Sequence, residues 1–208
     1  MDILENHESK LCYIYGPHYT QWSYDPDYII YPTPWIISNQ VARSADERFK
    51  LSNKVVWDMF AGIGTDALKF GERTGKVICI EIDDDTFHHL QVNVAQFNNK
   101  GNMSLLHEDC LNFLEKNQNL SSVVDIIYFD PPWGPSFKTG QPFDFTDVTL
   151  QNGMNITDLA LRVQQSCHMI IKSPILSSTF DQLFAKDIVR IYSFTQQKLK
   201  FLIVSKKT

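Results

Sequence analysis

Apolar positions along this chain fall into two kinds of run. Short and nearly unbroken runs rich in Val and Ile occur at 54–59 (KVVWDM), 76–82 (KVICIEI), 103–107, 123–129 (VVDIIYF) and 168–172 (HMIIK). They lack the period-two alternation of a strand with one wet face, so they predict strands buried on both faces of a mostly parallel sheet. The stretch 155–167 is different: Ile156, Leu159, Ala160, Val163 and Cys167 recur at intervals of three and four and predict an amphipathic helix. Helix-length spacing separates the strand candidates, which is the pattern of βα units. The ending, IVRIYSFTQQKLKFLIVSKKT, holds two β-rich runs on either side of Thr195-Gln196-Gln197 and predicts an antiparallel hairpin. The expected fold is therefore α/β and Rossmann-like: a twisted, mostly parallel sheet, helices on both faces, and a C-terminal hairpin.

Residues 1–32 break this pattern. They are rich in aromatics and proline (YIYGPHYTQWSYDPDYIIYPTP) and show no clear period, so they are expected to form an ordered extension to a main domain at 33–208. A length of 208 residues with 43% apolar composition is enough for one well-buried domain, expected as a monomer. Charge narrows the partners. A formal net charge of −5 excludes the broad basic surface that grips duplex DNA through counterion release and leaves room for recognition of a small nucleic-acid feature. Cys12, Cys79, Cys110 and Cys167 are too scattered for zinc spacing or a disulfide framework, which points to a reducing, intracellular compartment, nuclear or cytoplasmic. MDILENHESK has no signal-peptide character, and no apolar run approaches the ~20 residues of a membrane helix. His88 and His89 are expected at the surface or in packing, with no partner spacing for a metal.

Chemistry enters after the first strand. VVWDMFAGIGTDALKF reads as strand, Asp58, a turn carrying Ala61, Gly62, Gly64 and Thr65, and then a helix. The glycines allow positive φ and a close approach of backbone to ligand. This turn has neither the third glycine of a dinucleotide fingerprint nor the Lys-Ser/Thr of a phosphate loop. A second strand ends at Glu81, 19 residues after Gly62, where a doubly wound sheet presents a carboxylate to ribose hydroxyls. A nucleoside without phosphate fits this combination, and S-adenosylmethionine is the expected cofactor. Asp58 would meet its ammonium, and Asp109, after the third strand, would accept from the adenine amine.

The run YFDPPWGPSF follows the fourth strand, so Asp130-Pro131-Pro132-Trp133 leaves the sheet edge where ligands of open α/β folds bind. Two prolines stiffen the turn and remove two backbone donors. Acceptors on Asp130 and the Pro131 carbonyl suit an exocyclic amine, whose lone pair is delocalised into its ring and needs both N–H groups engaged. Trp133 offers a stacking face, more attractive to a cationic base.

DMFAGIG, ICIEID and FDPPWGPSF, in that order, together with YPTPWIISNQVA ahead of the first strand, resemble the trimethylguanosine synthases over roughly residues 30–205. These are class I methyltransferases that act on N2 of the 7-methylguanosine cap of RNA. The resemblance implies that Trp133 stacks on the methylated guanine, that Phe137 stands where the family usually has a tyrosine near the cap, and that the extension helps close the site. It departs from the family in having Asp130 where serine is common, Gly134 alone where two glycines are common, and Lys172 and Ser173 where an arginine contacts the cap phosphate. Lys172 is the candidate replacement for that charge. A viral source is compatible with these features. Two alternatives stand beside this reading. Asp-Pro-Pro-Trp also resembles adenine-N6 enzymes, and Asp-Pro-Pro-aromatic resembles ribosomal guanine-N2 enzymes. The other alternative is a non-catalytic cap-binding protein.

Overall fold

The computed structural model describes residues 7–28, 32–98, 100–133, 144–150 and 153–207. The chain divides into two compact units, Met1–Phe113 and Leu114–Thr208.

In the first unit, helices α1 (His7–Tyr15) and α2 (Trp35–Phe49) precede β1 (Val55–Asp58), α3 (Thr65–Gly71), β2 (Lys76–Glu81), α4 (Asp84–Phe97) and β3 (Met103–His107). β2 lies between β3 and β1, parallel to both, with Asp58 opposite Cys79 and Glu81 opposite His107. Because the strands are parallel, their carboxyl ends fall on one edge, and Asp58 and Glu81 emerge there together. Val56, Trp57, Val77, Cys79 and Ile80 are all buried, so residues pointing to opposite faces both meet protein. That is why these runs do not alternate. α2 begins directly after Thr33-Pro34, and the Thr33 hydroxyl donates to Asp66 Oδ2 of α3 at 2.6 Å.

The second unit carries β4 (Ile126–Phe129), a helix at Ile156–Gln164, β5 (His168–Pro174), a short helix at Thr179–Leu183, β6 (Ile188–Phe194) and β7 (Leu199–Val204). Here β4 and β5 are parallel, while β7 runs antiparallel to both β5 and β6. The predicted hairpin is present, its turn a 3-10 segment at Thr195–Gln197 followed by Lys198 at φ 54°. The predicted amphipathic helix is also present, capped by Asn155, whose side chain accepts from Thr157 N, and it buries Ile156, Leu159, Ala160 and Val163.

Three expectations need correction. The run 103–107 forms a strand, but none of Met103–His107 is buried, because β3 pairs on one side only, with β2, at the end of the strand order. The run 123–129 is not one strand: Val123 closes a helical turn at Leu120–Val123, Val124 N donates to Leu120 O at 3.0 Å, and the strand starts only at Ile126. A β-branched pair was drawn into a local hydrogen bond that residue type does not reveal. The extension is not without period, since α1 buries Leu11, Ile14 and Tyr15 at helical spacing. Its aromatics obscure that stripe, because Tyr13, Tyr19, Trp22 and Tyr24 pack against the same cluster as partly buried neighbours.

Candidate functional site

In the first unit the loop between β1 and α3 is shaped by backbone hydrogen bonds and two glycines. Ala61 N donates to Ile80 O and Gly64 N to Ala61 O, each at 2.9 Å. Gly62 and Gly64 have φ of +54° and +93°, a region costly for other residues. Their surroundings differ. A Cβ on Gly64 would lie 2.8 Å from Leu90 Cδ1, whereas one on Gly62 would meet nothing within 4 Å. Gly64 is thus held by its positive φ and crowded by the Leu90 methyl, and Gly62 faces open space. Thr65 opens α3, and its carbonyl accepts from Ser38 Oγ at 3.2 Å.

Glu81 organises this loop. Its Oε2 accepts from Gly62 N at 2.8 Å, and its Oε1 accepts from Ile82 N and Asp83 N at 2.9 and 3.0 Å. An ionised carboxylate has about four acceptor positions, so one remains on Oε2 for a hydroxyl. Asp58 is buried, 1% exposed, and Phe60 N points to its Oδ1 at 3.4 Å. Burial, and secondly the Asp58 charge, push the thiol of Cys79 well above its usual range. Asp109 caps α5 (Cys110–Lys116): Leu111 N and Asn112 N donate to its Oδ1 at 2.8 and 3.2 Å, and Oδ2 stays available as an acceptor. The set offers carboxylates to hydroxyls and amines, and residues 59–65 carry no cation for a phosphate. It fits a nucleoside whose remaining part is not phosphorylated.

In the second unit β4 delivers Asp130 next to a residue placed by β5. Lys172 is 3% exposed, its Nζ donates to Asp130 Oδ2 at 2.7 Å, and the same ammonium lies 5.4 Å from the Trp133 ring centroid. The register of β4 on β5, with Phe129 opposite Ile171, brings those two positions side by side. Pro131 is buried and Trp133 half-buried. Phe137, with Gly134, lies outside the described residues. The pairing of Asp130 with Lys172 was not foreseen, although a lysine inside HMIIK was a clue: a charge in a strand buried on both faces needs a partner. Asn93, a buried amide on α4 bonded to Ile63 O, was missed entirely.

A sequence profile of RNA cap guanine-N2 methyltransferases matches residues 53–203 of the 208, spanning the glycine loop, the Glu81 strand and Asp-Pro-Pro-Trp. An uncharacterized protein of Acanthamoeba polyphaga mimivirus is 26% identical over 170 residues, which cover 79% of this chain and 62% of that protein. Among solved structures, a Porphyromonas gingivalis protein designated a methyltransferase matches 93% of this chain and 46% of its own, with 15% identity and a TM-score of 0.67. The Thermus thermophilus 16S rRNA guanine-N2 methyltransferase, solved with AdoMet and guanosine, matches 89% of this chain and 44% of its own, with 16% identity and a TM-score of 0.57. The chain thus spans less than two thirds of each of these relatives. At such identities the solved structures establish the fold, a Rossmann-like α/β architecture with a mostly parallel set of strands and an antiparallel C-terminal hairpin. The profile, covering most of the chain and all three of these motifs, establishes the family: the chain belongs to the RNA cap guanine-N2 methyltransferases.

Proposed function

We propose that this protein transfers methyl from S-adenosylmethionine to the exocyclic N2 of a 7-methylguanosine RNA cap. The observation that carries this reading is Asp130 held by Lys172 beside Trp133, in a chain that belongs to this family. The cofactor supplies an electrophilic methyl on a sulfonium. Glu81 would accept from its ribose hydroxyls through the free position on Oε2, Asp109 Oδ2 from the adenine amine, and Asp58 would stand toward the ammonium. Gly62 leaves room for the ligand, Gly64 sets the turn, and Ala61 and Thr65 carry the loop on either side of them. Ile82, apolar and 42% exposed beside Glu81, is suited to lie against a purine ring.

Asp130 is the centre of the acceptor side. Its Oδ2 is engaged by the Lys172 ammonium, and the carboxylate, held in place by that pair, would accept one N–H of the target amine. The Pro131 carbonyl is the candidate for the other N–H. Engaging both hydrogens draws the nitrogen lone pair out of conjugation with the ring and orients it. The nitrogen becomes acidic on alkylation, so its proton can pass to Asp130 or to water without a strong base. The catalytic contribution is alignment. We assign Lys172 to Asp130 and the indole rather than to a cap phosphate, because its ammonium is buried in that pair.

The test supplies labelled S-adenosylmethionine with 7-methyl-GTP, GTP or an adenine-containing oligonucleotide. Preferential labelling of 7-methyl-GTP at N2 is expected. Equal labelling of GTP removes the cationic-cap reading, labelling of the oligonucleotide favours an adenine-N6 enzyme, and absence of calorimetric heat with the cofactor leaves a binding protein. Trp133→Ala should weaken cap-analogue binding by about 1–3 kcal/mol and leave cofactor binding nearly unchanged. Equal loss of both would make Trp133 structural.

A further inference from the structure

The glycine loop has a second tether besides Glu81. Asn93, in the body of α4 and 0% exposed, engages its whole amide: Oδ1 accepts from Ser23 N at 2.7 Å, and Nδ2 donates to Ser23 O and to Ile63 O, both at 2.9 Å. Ile63 is the residue between Gly62 and Gly64. One side chain therefore closes on the backbone of the N-terminal segment and on the backbone of the loop.

Neighbouring contacts strengthen the link. His89 Nδ1 and Ser23 Oγ are 2.7 Å apart, the Trp22 ring stacks on Phe97 at 4.9 Å, and Gln96 Nε2 donates to Gln21 Oε1 at 3.3 Å. His89, Asn93, Gln96 and Phe97 share one side of α4 by their three- and four-residue spacing, so that side is a seat for residues 21–23. The Ile63 side chain packs against the Leu11, Ile14 and Tyr15 cluster of α1. Both the carbonyl and the side chain of Ile63 are thus fixed from the extension side, while Glu81 fixes the neighbouring Gly62 N–H.

We infer that Asn93 is a positioning residue through which the N-terminal segment at 21–23 sets the geometry of the cofactor loop. This rests on the proposal that the loop holds S-adenosylmethionine. A peptide between two left-handed glycines has wide rotational freedom unless something holds its carbonyl. A loop held in its binding geometry before the ligand arrives escapes the ordering cost that would otherwise weaken affinity. The position asks for one acceptor and two donors at the reach of an asparagine. Aspartate presents only acceptors when ionised and would face two carbonyls.

The test measures S-adenosylmethionine dissociation constants by calorimetry on the full chain, with amide hydrogen exchange across residues 62–65 as a second readout. Asn93→Asp should raise the dissociation constant about tenfold or more and speed loop exchange. Trp22→Ala and His89→Ala alter the segment without touching the loop, and each should raise the constant by a smaller factor. In an Asn93→Ala background the His89→Ala effect should vanish, because the route it acts through is gone, and the Trp22→Ala effect should shrink to what the α1 cluster still passes to the Ile63 side chain. Unchanged loop exchange in Asn93→Asp overturns the inference, as do Trp22→Ala effects of equal size with and without Asn93. Should Asn93→Asp fail to fold, His89→Ala at its partly exposed position decides, and parent-like exchange there overturns the inference. A parent protein that binds no cofactor refutes the proposed function, and loop exchange still reports the coupling on its own.

Discussion

Gly62 and Gly64 stand two positions apart and do different things. Alanine at Gly64 meets both an unfavourable φ and Leu90 at 2.8 Å, whereas alanine at Gly62 meets only the φ. Gly62→Ala should therefore cost roughly 1–2 kcal/mol of folding free energy, and Gly64→Ala more. Cofactor affinity should fall in Gly62→Ala beyond what its small stability loss accounts for, since the new methyl occupies the open side of the loop. Urea denaturation and calorimetry separate the two, and equal stability losses would argue against the Leu90 clash. Lys172 invites a second substitution. Lys172→Met leaves the Asp130 carboxylate without its ammonium, and breaking a pair this shielded typically costs about 3–5 kcal/mol, with the lower end expected because the Asp130 side chain is 19% exposed. The surviving enzyme should show a kcat that declines toward acid pH across a range where the parent is flat, because a carboxyl that has lost a neighbouring ammonium takes up a proton more readily. Superimposable pH profiles would show that Lys172 does not act through Asp130.

At the scale of elements, α4 does more than pack. Its N-cap is Asp83, whose side chain accepts from Thr86 N at 2.9 Å, and this backbone hydrogen bond, the largest cause, lowers the Asp83 carboxyl from its ordinary value of 3.8. A depressed carboxyl stabilises the fold above the unfolded value and loses that contribution as pH falls through the folded one. Asp83→Ala should thus destabilise by about 1 kcal/mol at neutral pH, and the difference from the parent should shrink as pH falls below the ordinary carboxylate value and through the lowered one. A difference that persists in strong acid would show that the carboxylate is not the source. The body of the same helix carries the Asn93 seat, so a single element ties Glu81's strand end, the glycine loop and the N-terminal segment into one arrangement within the first unit.

At the scale of the whole chain, thiol chemistry reports the burial of both units at once. Cys12 is exposed while Cys79, Cys110 and Cys167 are buried, and burial is the first cause holding their thiols high, to about 12 for Cys110 and Cys167. A thiol reagent at pH 8 should modify one cysteine rapidly in the native protein and all four in denaturant, because the thiolate is the reacting form. A second fast thiol would mean that one unit opens more readily than its burial suggests. Among the described residues no helix is long and apolar enough to cross a membrane, and none group as a metal site. β1, β2, β4 and β5 were legible in the chain because burial on both faces leaves a nearly unbroken apolar run, although β4 begins only at Ile126, and the hairpin because its turn interrupts two such runs. The positions of Asp58, Glu81 and Asp130 were legible for a related reason: in a parallel sheet every strand ends at a predictable edge, so an acid after the run is placed there by its spacing alone. The sequence by itself therefore determined which acids stand at strand ends. Only the tertiary structure decided what those groups hold: that Lys172 closes on Asp130, that Glu81 clamps the Gly62 amide, and that Asn93 joins Ser23 to Ile63. These partners lie far apart along the chain, and hydrogen bonds between them depend on register and packing that no local pattern of residues encodes.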